Sequence, residues 1–367
     1  MDLSYLRPLY DHSGPWASAY VDTTRAEENA EHQIELRWRA LHEQLAGHGA
    51  DEATLEALRA AVLDAPHRPG RSGLAAFAAG GEAVLVEPMS APPPADLAAY
   101  GPLPHAMPLV VQHGDDIPYV RVLSDRTGAD VTGLSVGGTP RRERVTGPDS
   151  YPISKVRGGG WSNPRYQRAA EETWKRNAGD AAKAVAELAA AIGAEVIVIG
   201  GDIRSAPLIA DQLPRRWRDR LIVTDAGSRQ ATAEDALDDV TVQAIADVGD
   251  RHTRNAIERY LAQRAAGGGS TGLADVVARL QLGQADTVLL VNDGTSTDRL
   301  WIGPGDPSLI AADPQVLRES GVAEPVEVRA DAALLRAIIG TAAELVLVSR
   351  DDVRLEHGIG AVLRYPV

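Results

Sequence analysis

PRYQRAAEETWKRNAGDAAKAVAELAAAIGAEVIVIGG, residues 164–201, decides the fold. Ala181, Val185, Leu188 and Ile192 recur at helical spacing in its second half. Ser162 or Asn163 suits a cap, Pro164 a first helical position and Gly193 a carboxyl end. The spacing therefore predicts one helix over 164–192, about 43 Å long if straight. Its first half is polar and basic, which predicts that this half projects from the core. After Gly193 comes EVIVIGG, a continuous apolar run of the kind buried on both faces of a sheet.

Working outward, YVRVLSDRTGADVTGLSVGG (Tyr119–Gly138) holds two alternating runs on either side of Thr127-Gly128. They predict a hairpin with Val120, Val122 and Val131 facing the core. A loop rich in Gly, Pro and Arg is expected from there to Gly160. Downstream lie a helix with Ala206, Leu208 and Ile209, the strand RLIVTD, and two helices ending near Arg264. The βαβ order implies a parallel or mixed sheet flanked by helices. AAGGGSTG (Ala265–Gly272) reads as a flexible linker.

The amino-terminal region opens with the strand ASAYVDTT, then a polar helix from about Arg25 to Leu45 and a second over Asp51–Leu63 with Asp51 as its cap. GLAAFAA and EAVLVEP flank Gly80-Gly81 as a hairpin. APPPADL and the turn at Gly114-Asp115 close this region. The last region repeats the α/β pattern on a smaller scale, from the helix LADVVARLQLG through TVLLVND, DRLWIG, DAALLRAIIGTA and ELVLVS to a terminal strand AVLRYPV. The fold class is α/β in three domains, with boundaries expected at 1–116, 117–268 and 269–367.

Composition narrows the function classes. The 367 residues include one Phe and 4% aromatics, so the cores rest on Ala, Val, Leu and Ile. Cys is absent, which excludes disulfides and thiolate metal sites. The nine histidines show no HExxH or paired spacing, and neither metal nor cofactor is expected. MDLSYLRPLYDHSG has no signal-peptide character and no apolar run is long enough for a membrane span, so a cytoplasmic protein without membrane contact is expected. The net charge of −14 opposes nucleic-acid binding, but its distribution does not. Arg141–Arg176 holds nine Lys/Arg against four acids, leaving −19 for the rest. Such an island suits phosphate contact, and it also suits a solvated charged face.

GLSVG at Gly133–Gly137 matches a nucleophile elbow, but Gly138-Thr139-Pro140-Arg141-Arg142 follows where that chemistry needs a helix behind Ser135. A hairpin ending in small residues explains it. Gly200-Gly201 stands between strand and helix without the G-x-G-x-x-G spacing or a Walker lysine, and reads as a tight βα turn. The informative segment is KVRGGGWSNPRYQRAAEETWKRNA, Lys155–Ala178. Gly158, Gly159 and Gly160 make a slim tip, flanked by Lys155, Arg157, Arg165, Arg168, Lys175 and Arg176 and interleaved with Trp161, Tyr166 and Trp174. Cations and aromatics around a glycine tip suit entry into folded RNA, while a surface loop preceding a helix is the plainer reading.

This segment resembles the middle-domain tip of the archaeo-eukaryotic peptide-chain release factors and their Pelota-like relatives. There Gly-Gly-Gln is followed by Ser, two residues, Arg and an aromatic, and Gly159-Gly160-Trp161-Ser162 with Arg165-Tyr166 and Arg168 keeps that order. The SAYVDT start and GIGAVLRYPV end are similar to a bacterial branch that includes Balon-like hibernation factors and peptidyl-tRNA hydrolases. The resemblance implies a βαβ middle domain bearing the Gly-rich tip and a smaller, L7Ae-like α/β carboxy-terminal domain. It implies a monomer in the A site of the 70S ribosome, with Lys155, Arg157, Gly158–Ser162, Arg165, Tyr166, Arg168, Lys175 and Arg176 near rRNA or tRNA. A translational GTPase such as elongation factor Tu would meet the carboxy-terminal domain.

One departure matters. The family's release chemistry uses the glutamine after two glycines, and Trp161 stands there. An indole has one donor and no acceptor. Gln167 is the nearest substitute. The sequence therefore predicts ribosome binding in hibernation or stress protection without peptide release, the alternative being a peptidyl-tRNA hydrolase. A third reading, a nucleotide cradle at Gly200-Gly201, stays open at this point.

Overall fold

A computed structural model describes residues 1, 3–26, 29–65, 71–89, 91–114, 117–125, 128–135, 140–146, 163–226, 233–294 and 296–365. The chain divides into two compact units, residues 1–114 with 253–367, and residues 115–252.

In chain order the first unit begins with α1 (Pro8–Asp11), β1 (Trp16–Asp22), α2 (Ala30–Gly47), α3 (Glu52–Leu63), β2 (Gly73–Ala79), β3 (Glu82–Met89), β4 (Leu97–Gly101) and α4 (Met107–His113). The strands form an antiparallel sheet in the order β3-β2-β1-β4. Alternation sends Ala17, Ala19 and Val21 to one face, against Ile34, Trp38 and Leu41 of α2 and Leu55 and Leu58 of α3. Trp16, Tyr20 and Phe77 face the other way. Both sides are covered, so β1 reads as a nearly continuous apolar run. β4 follows the proline stretch and pairs with β1, a strand that its weakly patterned sequence did not announce.

Asp51 caps α3 as expected. Its carboxylate accepts from the Thr54 amide at 3.0 Å and the Thr54 hydroxyl at 2.7 Å, and these bonds hold it below its ordinary value. Asp51→Ala is expected to lower stability to urea by about 1 kcal/mol near neutral pH. A depressed folded-state value means that the contribution is complete above the ordinary carboxylate range and is lost as pH falls through the depressed one. The gap between wild type and Asp51→Ala should therefore close in acid.

The second unit holds β5 (Tyr119–Ser124), β6 (Gly128–Leu134), β7 (Arg141–Thr146), α5 (Asn163–Ile192), β8 (Val196–Gly201), α6 (Ser205–Gln212), β9 (Leu221–Val223) and the start of α7 (Ala233–Ala265). Its sheet runs β7-β6-β5-β8-β9, with β5, β8 and β9 parallel and β6 and β7 antiparallel. Val120, Val122 and Val131 are core residues, packed with Ala181, Val185 and Ala189 of α5. The other face meets Leu237, Ala244 and Val248 of α7. Two expectations are corrected here. β7 occupies part of the expected loop, carried by its ladder to β6. The two helices expected before Arg264 are one, α7.

The chain returns to the first unit with β10 (Ser270–Thr271), α8 (Leu273–Gln281), β11 (Ala285–Val291), β12 (Arg299–Ile302), β13 (Ile310–Ala311), α9 (Pro314–Glu319), β14 (Val326–Arg329), α10 (Ala330–Gly340), β15 (Glu344–Val348) and β16 (Ile359–Leu363). One sheet runs β10-β16-β11-β15, with β11 and β15 parallel, and a small one runs β13-β12-β14. The expected Gly-rich linker is instead ordered structure. Ser270 is fully buried and pairs with Ala361. α10 is buried along nearly its whole length, and its Arg336 donates through Nη2 to the carbonyls of Gly303, Gly305 and Asp306.

Candidate nucleic-acid interface

The second unit carries the basic island. Lys155, Arg157, Gly158, Gly159, Gly160, Trp161 and Ser162 lie outside the described residues. For Arg165, Tyr166, Gln167 and Arg168 the backbone is helical, in the first turns of α5, and their side chains lie outside the description. Lys175 and Arg176 are exposed further along the same helix. With about 3.6 residues per turn, positions 165, 168, 172, 175, 176, 179 and 183 share one side of α5. The opposite side buries Ala181, Val185 and Ala189. The helix therefore separates a core face from a charged face whose acidic positions are 172 and, one turn beyond Lys183, 187.

α6 fixes this helix laterally, because Gln212 donates through Nε2 to the Lys175 carbonyl at 3.0 Å. A 3-10 turn over Arg215–Arg220 follows. It brings RRWRDR beside α5, four arginines that the charge tally over 141–176 passed by. Trp217 is buried in this turn, with the Arg216 and Arg220 guanidiniums 5.4 and 5.7 Å from its ring. Arg220 also donates to the Ala194 carbonyl at 2.7 Å, just past the end of α5. A groove of about 370 Å³ lies between turn and helix, floored by Gly179, Ala182 and Ala186, with Arg216 and the Lys183–Glu187 pair, 3.9 Å apart, at its edge. Small side chains on the floor suit close approach of a phosphate backbone, with Arg216 as the cation not held by Glu187. The signal was in the sequence as four Arg in six residues. Its proximity to α5 was not.

The remaining cations of the island sit on β7, where Arg141, Arg142 and Arg144 are exposed. Arg144 is engaged by Asp130 across the ladder at 2.6 Å, a hydrogen-bonded pair that raises its guanidinium further above its ordinary value.

The other motifs resolve into packing. The Gly133 backbone approaches Leu188 of α5 so closely that a Cβ would stand 2.8 Å from Leu188 Cδ2. At Gly200-Gly201 the amides that a phosphate cradle would need are already used. Gly201 N–H donates to the Ala226 carbonyl at 3.0 Å, and Asp202 N–H to the Ser124 carbonyl at 2.9 Å. This is the tight βα turn, and the nucleotide reading loses its donors. Among the described residues no His, Asp or Glu group is arranged to hold a metal ion. Among them, too, no helix is long and apolar enough to cross a membrane.

Comparison with known proteins gives this geometry a context. The model of bacterial archaeo-eukaryotic release factor family 2 matches residues 118–266. Uncharacterized proteins from two strains of Mycobacterium tuberculosis are each 31% identical over 368 residues, spanning 98% of this chain and 96% of theirs. Among solved structures, an archaeal translation termination factor is 14% identical over 98% of this chain and 96% of its own, with a TM-score of 0.27. Pelota of Archaeoglobus fulgidus is also 14% identical, over 82% of each chain, with a TM-score of 0.33. On the full-length identity and the family match, the chain belongs to the bacterial branch of the archaeo-eukaryotic release factors.

Proposed function

We propose that the protein is a translation factor that occupies the ribosomal A site in hibernation or stress protection and leaves the nascent peptide attached. The observation that carries this reading is the exposed basic side of α5 with the Arg215–Arg220 turn beside it, on the unit whose sequence bears the Gly-rich tip. Release factors act on the ribosome, and a row of cations on a supported helix is chemistry for rRNA phosphates. Trp161 in the glutamine position supports binding without hydrolysis, because its one donor cannot replace an amide that both donates and accepts. In this reading the segments 1–116, 117–268 and 269–367 act as three functional domains of a monomer. The last of them meets a translational GTPase such as elongation factor Tu.

The test mixes the purified protein with vacant 70S ribosomes and with ribosomes carrying labelled peptidyl-tRNA, reading cosedimentation and peptide release together. Binding without release is the expected result, and Arg165→Glu with Arg168→Glu should weaken it. Binding with release assigns the alternative, a peptidyl-tRNA hydrolase, and Gln167→Ala then tests the substitute glutamine. Absence of binding to either particle removes the ribosomal reading.

A further inference from the structure

Within the first unit, a cavity of about 800 Å³ lies between the amino-terminal sheet and the carboxy-terminal α/β portion. Ligand pockets commonly measure about 300–1,000 Å³. Leu97 of β4 and Met107 and Val111 of α4 form one apolar wall, and Leu290 of β11 and Leu334 of α10 form the other. The polar groups gather beyond the carboxyl ends of the parallel strands β11 and β15 and at the first turn of α10. Open α/β sheets take their ligands at that end of their strands.

The charges there are unequal. Asp293, Asp298 and Asp331 face the cavity with Arg329 and Arg350. Both guanidiniums are engaged, Arg329 on Asp331 at 2.7 Å and Arg350 on Asp293 at 2.8 Å. The surplus is one carboxylate, Asp298, exposed at the rim. His105 lines the inner side and is only 8% exposed. Burial lowers its imidazole from the ordinary value, against the opposing pull of Asp331. Its Nδ1 stands 3.7 Å from the Asp331 carboxylate, beyond hydrogen-bond length. The ring is therefore neutral near neutral pH and adds wall, not charge.

We propose that this cavity binds a small amphipathic molecule, its apolar body between the Val111 and Leu290 walls and a cationic amine head at Asp298. An anionic head would meet the surplus carboxylate, with both arginines already neutralised by their partners.

The full-length chain should be titrated with N-phenyl-1-naphthylamine, an apolar arylamine that fluoresces on leaving water. Saturable enhancement is expected, with dodecylamine displacing the dye below its micelle concentration and dodecanoate failing to do so. Val111→Trp and Leu290→Trp, which fill the space from opposite walls, should each weaken dye binding by about tenfold or more. Asp298→Asn, an exposed change, should leave dye binding intact and reduce the preference for the amine over the acid. Unchanged dye affinity in both tryptophan variants with native circular dichroism would overturn the proposal. So would displacement by dodecanoate equal to that by dodecylamine. Should the tryptophan variants not fold, an unaltered amine preference in Asp298→Asn overturns it alone.

Discussion

Gly201→Val is expected to unfold the second unit at temperatures where the wild-type protein is folded. Gly201 closes β8 at a φ of +119°, a region that L residues with a side chain rarely enter. A Cβ there would stand 2.0 Å from the Ser124 carbonyl oxygen and 2.7 Å from the Ser124 nitrogen. Both atoms belong to the backbone of β5, the central strand of the sheet, and neither can rotate away as a side chain tip could. Ser124 is itself committed, donating its hydroxyl to the Gly200 carbonyl at 2.9 Å. Left-handed strain costs about 1–2 kcal/mol and forced overpacking about 1–3 kcal/mol or more. Together these approach the whole stability of a marginal domain. Gly193→Ala separates the two terms. Gly193 has a φ of +67° with nothing within 4 Å of a Cβ, so only the conformational cost applies, about 1 kcal/mol. Urea unfolding followed by tryptophan fluorescence decides the matter, and a Gly201→Val protein as stable as Gly193→Ala would contradict the packing at this turn.

The second large effect concerns the charged side of α5. Converting Lys175, Arg176, Arg215 and Arg216 to Glu is expected to reduce cosedimentation with 70S ribosomes by at least about tenfold at moderate salt. Each lost phosphate contact also removes about 0.7–0.9 from the slope of log affinity against log salt, so the dependence should flatten. All four side chains are exposed, and Trp217 keeps Arg220 over its ring, so the turn should stay folded. Arg144→Glu is the control. Arg144 is occupied by Asp130, and its reversal should change the logarithm of ribosome affinity by well under a quarter of the fourfold variant's change. A change of a quarter or more, in proportion to the charge reversed, would mean that net charge, not this face, governs association.

Elements whose apolar residues keep one period from end to end were legible from the residues alone. The continuous run of β1, the Val120, Val122 and Val131 alternation, and the stripe of α5 all point to the surfaces that they bury. β7 was not legible because arginines and a glutamate occupy its first four positions, and its pairing with β6 comes from the neighbouring strand. α7 hid for another reason. Its first half buries Leu237, Ala244 and Val248, and its second half buries Ala256, Ile257 and Tyr260 in a different core. The stripe changes course around Gly249, which reads as a break though the backbone continues. At Ala265–Gly272 glycine composition suggested freedom, whereas the glycines supply the positive φ values that let Ser270 join β16. The basic face was half legible. Its α5 portion follows from helical periodicity, but the Arg215–Arg220 turn joins it only through α6.

The discontinuity of the first unit sets the order of events at birth. Trp16, Tyr20 and Phe77 share one core with Val288, Leu335 and Ile359, which are translated last. α2 and α3 cover the opposite face early, since both lie between β1 and β2 in the chain. At about 5–20 residues per second, the intervening unit alone delays the second cover by on the order of ten seconds. Over that interval the aromatic face has Leu9 of α1 and Met107, Leu109 and Val110 of α4 against it, so each new copy carries a half-covered core until residues 253–367 arrive.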